Sequence, residues 1–172
     1  MKIAVIGASG NAGSRITAEL ARRGHAVTAI ARNPEKIAAQ ANVTATKGDL
    51  LDQAGLARLL AGHDAAISSV HFLASDPLKL IGAARDSKVV RYLVVGGAGS
   101  LEVATGVRLV TTSGLPVAYK AAAAKGGRIP RPAQSRKGTE LDLSVALGAV
   151  HGWRPDRQVP PWNRPAFDRS RR

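Results

Sequence analysis

The run Ile3-Ala4-Val5-Ile6-Gly7-Ala8-Ser9-Gly10-Asn11-Ala12-Gly13 decides how this chain folds. Four apolar residues read as a buried strand, and three glycines spaced three apart follow it. Ala12, Ile16 and Leu20 then fall on one face of a helix, Gly24 closes that helix, and Ala26 to Ala31 reads as a second strand. Strand, glycine turn, helix and parallel strand form the unit in which a dinucleotide rests its pyrophosphate on a helix N-terminus. Gly7 permits the tight turn, Gly10 lets backbone approach the pyrophosphate, and Gly13 lets the helix pack closely on the strand. Ala8 and Ala12 complete the turn, while Ser9 and Asn11 can add side-chain hydrogen bonds to a phosphate.

The second strand ends at the position where a site for NAD(H) usually carries an acid for the adenosine ribose. This chain has Arg32 there, followed by Asn33. A guanidinium pairs with a 2′-phosphate and stacks on adenine, so NADP(H) is the expected cofactor, with NAD(H) the alternative. Outward from this unit the alternation continues: a short helix over 35–40, a strand at 43–46, and a helix carrying Leu56, Leu59 and Leu60. A strand at 65–70, a helix opened by Pro77 and a strand at 91–95 follow. Five strands alternating with helices predict an α/β, Rossmann-type doubly wound parallel sheet, its ligand crevice outside strands one and four.

The residues also carry a family resemblance. GASGNAG at 7–13, ARNPEK at 31–36, KGDLLD at 47–52, HDAAISSV at 63–70 and VVRYLVVGGAGSLEV at 89–103 are the carriers. Over residues 1–125 the chain resembles the atypical short-chain dehydrogenase/reductases of the NAD(P)H-binding, NADH-flavin reductase type, related to biliverdin reductase B and NmrA-like proteins. The resemblance implies that Asp49 and Leu50 lie beside adenine, and that Ser68, Ser69 and Val70 run past the ribose and pyrophosphate. Gly96 and Gly97, at the end of the fifth strand, complete the cofactor candidates. Asp49 or Asp52 can equally cap the following helix.

The resemblance further implies an NAD(P)H-dependent oxidoreductase that passes hydride to a small-molecule acceptor, a flavin or a flavin-like or quinone compound. Short-chain dehydrogenases commonly use a YxxxK pair for proton transfer. Here Lys120 directly follows Tyr119 and Ala123 stands four residues on, so that pair is absent. His71 has no identifiable carboxylate partner and reads as structural. No catalytic acid or base is assigned, which suits either flavin reduction or a non-catalytic NADP(H) sensor that signals to a protein partner.

At 172 residues, with 45% hydrophobic content, the chain suits one packed domain. No apolar run approaches the ~20 residues of a membrane span, so a cytoplasmic protein is the default expectation. The absence of cysteine excludes disulfides and thiolate metal sites, and no metal is expected. The net charge of +13 raises nucleic acid as a partner, yet the charge gathers late in the chain. Residues 126–172 hold 10 of the 25 Lys and Arg, six of the nine prolines and both tryptophans.

That segment reads as an irregular basic tail with no recognised nucleic-acid module, and nucleic-acid binding is not expected. Its Arg, Pro, Ala and Gly content is what GC-rich coding DNA yields out of frame. Codons for residues 141–151, read one nucleotide later, can spell WTFLSPSALF, and those for 152–163 can spell AGDRTGKFRLG. Both resemble what the family carries in those places. A frameshift near residues 120–127 is therefore favoured over a natural basic tail. On that reading the chain lacks a proper sixth strand, has only a short helix around 141–150, and is weakly active or inactive as it stands.

Overall fold

The computed structural model describes residues 1–97, 102–112, 117–126 and 140–145. The central strands are β1 (Lys2–Ile6), β2 (Ala26–Ala31), β3 (Val43–Lys47), β4 (Ala65–Ser68) and β5 (Arg91–Gly96). Helix α1 (Asn11–Arg22) follows β1, α2 (Gln53–Leu60) follows β3, and α3 (Pro77–Asp86) follows β4. A small hairpin, β6 (Glu102–Ala104) with β7 (Val107–Arg108), precedes α4 (Val117–Gly126). The last described strand is β8 (Glu140–Val145).

The main sheet is parallel in the order β3-β2-β1-β4-β5-β8, so the strand order reverses between β1 and β4 as the doubly wound expectation required. The five expected strands are present as β1 to β5, and β8 corrects the expectation of a short helix around 141–150 and of no proper sixth strand. Residues 140–145 pair with β5 from Arg91↔Glu140 to Gly96↔Val145. The reason lies in Glu-Leu-Asp-Leu-Ser-Val itself, whose polar and apolar residues alternate with period two, the signature of a strand. Residues 127–139 and 146–172, which hold the remainder of the expected basic tail, lie outside the described residues.

The helix expected at 35–40 is also corrected. Only Pro34–Lys36 forms a single 3-10 turn, after which Ile37 is already extended. Ile37 is the one large apolar residue in 35–40, too little to hold so short a helix against the sheet, and the chain enters β3 through Asn42 at φ 63°.

Core packing divides by face. Odd residues of β2, Val27 and Ala29, join Val5 and Ala8 beneath Ile16 and Leu20 of α1. Even residues face the other helices: Ile30 joins Ala4, Ile6, Leu56, Leu60, Leu80 and Tyr92. Each fully buried Leu, Ile or Val contributes roughly 1.5–3 kcal/mol. Gln53 Nε2 donates to Asp86 Oδ2 at 2.7 Å and ties α2 to α3.

The helix ends follow from local chemistry. Asp52 Oδ1 accepts from the Gly55 amide and Asp76 Oδ1 from the Leu78 amide, both at 2.9 Å, capping α2 and α3. Pro77 opens α3 where no intrahelical donor is needed. Gly24, at φ 78°, takes the left-handed turn that ends α1, as its position predicts.

Candidate nucleotide-binding site

The ends of β1 and β4 and the start of α1 build one turn. The Gly7 and Ala8 amides both donate to the Ile30 carbonyl, at 2.9 and 3.1 Å, and the Ser69 amide donates to the Ile6 carbonyl at 2.8 Å. Gly7 stands at φ 83°, and a Cβ there would collide with the Ser69 carbonyl and Val70. At Gly13 a Cβ would collide with the Gly7 carbonyl, so this glycine lets α1 seat against the turn. Gly10 differs: a Cβ would meet the Gly7 carbonyl at 3.3 Å and only the Ser69 carbonyl, at 3.9 Å, beyond it. The three glycines thus divide between building the turn and leaving its mouth open.

Gly10 is also the N-cap of α1 and has no side chain to cap it, and the first turn of α1 holds no acid. Its first amides and the positive end of its dipole are left for an outside anion. Ser9 and Asn11 are exposed beside them, Ala12 is half-buried and Ala8 is buried. The residues present therefore fit the pyrophosphate of a dinucleotide: the cradle is small at Gly10, lacks a competing cap and carries no repelling carboxylate.

Arg32 and Asn33 are exposed directly after β2. Asp49 follows β3, exposed, with Oδ1 accepting from the Leu51 amide at 2.9 Å, while Leu50 packs against the larger core cluster. β4 ends at Ser68, two residues short of the expected strand. Ser69 and Val70 are half-buried at the turn, whereas Ser68 is fully buried. The Ser68 hydroxyl turns into the core beside Tyr92 and away from the crevice, and neither hydroxyl has a protein partner of good geometry. Burial pushes the Tyr92 hydroxyl up to about 12, with Ser68 acting weakly the other way. Gly96 closes β5, and Gly97 beyond it is exposed, with nothing within 4 Å of where a Cβ would stand.

A family model described as NAD(P)H-binding matches residues 7–129. The chain belongs to the NAD(P)H-binding family. It is 38% identical over 134 residues to the uncharacterized protein YwnB of Bacillus subtilis, covering 74% of this chain and 62% of that one. A crystal structure of a candidate exported protein from Burkholderia pseudomallei is 47% identical, with a TM-score of 0.63, over 73% of this chain and 62% of the other. A candidate NADH-flavin reductase from Streptococcus pneumoniae is 35% identical, with a TM-score of 0.55, over 74% and 62%. The chain thus spans 62% of the length of each of these three proteins.

Within this NAD(P)H-binding fold, His71 caps a turn: its Nδ1 accepts from the Leu73 amide at 3.3 Å. Tyr119, Lys120 and Ala123 lie in α4, which packs against the 72–74 turn. A cleft of about 750 Å³ opens between the loops after β3 and β4, lined by Leu51, Leu73, Ala74, Asp76 and Leu78. Among the described residues no group of His, Cys, Asp or Glu is arranged to hold a metal. None of their helices is long and apolar enough to cross a membrane. Sequence reasoning left Gly48 out of the site, where a Cβ would press at 2.5 Å on Ile30 Cγ2. Its only signal was its place directly before Asp49.

Proposed function

We propose that this chain is the nucleotide-binding part of an NADP(H)-preferring oxidoreductase that reduces a flavin or a flavin-like or quinone acceptor. The observation that carries the proposal is the uncapped Gly10 start of α1, lying across the sheet's reversal point and followed by Arg32 where an acid would select a free ribose. The amides of the first turn of α1, with Ser9 and Asn11, would hold the pyrophosphate. Arg32 and Asn33 would receive the adenosine phosphate, and Asp49 with Leu50 would flank the adenine.

The chemistry such a cofactor supplies when bound is hydride donation from its reduced nicotinamide ring. The chain's own contribution is orientation and shape: Gly7 and Gly13 fix the turn, and Ser69 and Val70 form its wall. His71 is engaged as a cap and Ala123 replaces the lysine of a proton-transferring pair, which suits a reaction needing no positioned acid. The likeness to the Streptococcus pneumoniae protein supports a flavin as the acceptor.

The test is NADPH and NADH consumption with added flavin mononucleotide or a quinone, alongside direct cofactor binding. Tighter NADPH binding is expected from the 172-residue chain, and acceptor-dependent oxidation from the version with its reading frame restored after Lys125, in which turnover is judged. Binding without turnover for any acceptor would replace the enzyme reading with that of a sensor, and absence of binding would overturn both.

A further inference from the structure

We propose that Lys47, at the end of β3, is a second cation for the adenosine 2′-phosphate and sets NADP(H) preference together with Arg32. The inference rests on the NADP(H) reading above and adds a residue from a different strand. The last rung of the β2–β3 ladder is Ala31↔Lys47, and the Gly48 amide donates to the Ala31 carbonyl at 3.0 Å. This places the Lys47 backbone one strand spacing, about 4.8 Å, from the residue that precedes Arg32.

Side-chain parity fixes the direction. Val43, Ala45 and Lys47 share one face of β3, and Val43 packs into the α1-side cluster with Val27 and Ala29. Lys47 therefore projects on the α1 side, the side on which the phosphate-binding helix start lies, and it is exposed there. Neither Arg32 nor Lys47 forms an ion pair with a described residue. Glu35 and Asp49 are the acids nearest in the chain, and neither forms an ion pair with Arg32 or Lys47. Two cations with no ion-pair partner among the described residues, one directly after β2 and one at the end of the neighbouring β3, match a doubly charged phosphate better than a neutral ribose hydroxyl.

The experiment compares NADPH and NADH dissociation constants, by calorimetric titration of the full chain, for the native protein and for Lys47→Gln, Lys47→Arg, Lys36→Gln and Arg32→Ala. Lys47→Gln is expected to weaken NADPH binding about 3- to 10-fold and leave NADH binding unchanged, an effect that shrinks as salt rises because the site is exposed. Lys47→Arg should retain most of the preference. An unchanged NADPH constant in Lys47→Gln while Arg32→Ala loses preference overturns this inference alone, as does loss of preference in Lys36→Gln but not in Lys47→Gln. Equal NADPH and NADH binding by the native chain, unaltered by Arg32→Ala, overturns the NADP(H) reading and this inference with it.

Discussion

The three glycines of one turn do different work in the fold, as their places in the motif predict. Gly7 needs its positive φ and its approach to Ser69, and Gly13 needs its contact with the Gly7 carbonyl, so Gly7→Ala and Gly13→Ala are expected to cost stability. The loss should be about 1–3 kcal/mol in denaturant unfolding. Gly10→Ala makes only a tight contact, 3.3 Å from the Gly7 carbonyl, and should shift stability by less than about 1 kcal/mol. Its added methyl fills the mouth of the turn, and the dinucleotide should bind about tenfold more weakly, 1.4 kcal/mol. Tyr92 gives a pH prediction at the same level of detail. Its folded-state value, about 12, lies above the 10.0 of a free tyrosine, so the native protein holds a proton that the unfolded chain has lost between those values. Stability should be intact below pH 10 and fall by roughly 2–3 kcal/mol as pH rises towards 12. Tyr92→Phe should abolish that alkaline decline; an unchanged pH profile would show that the ring is not buried as described.

Helix ends carry the next set of effects, because each isolates a few backbone donors or acceptors. Asp76 and Asp52 cap α3 and α2, and Asp76→Ala is expected to cost about 1 kcal/mol. At the other end of α3, Lys88 sits at φ 58°, doing with a β-carbon what Gly24 does for α1 without one. Lys88→Gly should therefore raise stability by about 0.5–1 kcal/mol in thermal or denaturant unfolding, the reverse of the usual glycine penalty. A loss on this substitution would mean that Lys88 makes a compensating contact. The caps were legible as alternatives only: Asp49 and Asp52 are both acids before α2, and the geometry gives the cap to Asp52 while Asp49 braces its own loop. The short helix expected at 35–40 failed because Ile37 alone gives it no apolar face to pack, and so short a helix does not stand without one.

The assembled sheet depends on a partner that lies 44 residues beyond the end of β5 in the chain, from Gly96 to Glu140. β8 covers the β5 edge, which would otherwise present unpaired donors and acceptors along apolar residues. Leu143→Pro puts a proline into β8 opposite Val94, with Ser144→Pro as the variant of the alternate N–H direction; at least one should lower the melting temperature and raise aggregation, and no change from either would mean that β8 adds nothing to the sheet. A chain with the reading frame restored after Lys125 would place WTFLSPSA-like sequence in the region of β8. It is expected to melt higher and to oxidise NADPH with added flavin faster than the 172-residue chain. Equal behaviour would make the basic tail a working part of the protein.

By itself, the sequence determined β1, the glycine turn, α1 and β2, because their signals are local: apolar period, a residue that must take positive φ, and a missing cap. It also placed β3 to β5 and α3 within a residue or two, since each is an apolar run bounded by turn chemistry. The tertiary structure alone decided that Ser68 turns into the core while Ser69 and Val70 wall the turn, that Gly48 is pressed against Ile30, and that Lys47 ends beside Ala31. It also recruited residues 140–145 as the sixth strand, although their period-two alternation was present to be read. Each of these is a relation between segments far apart in the chain, and local periodicity carries no information about which neighbour a strand will find.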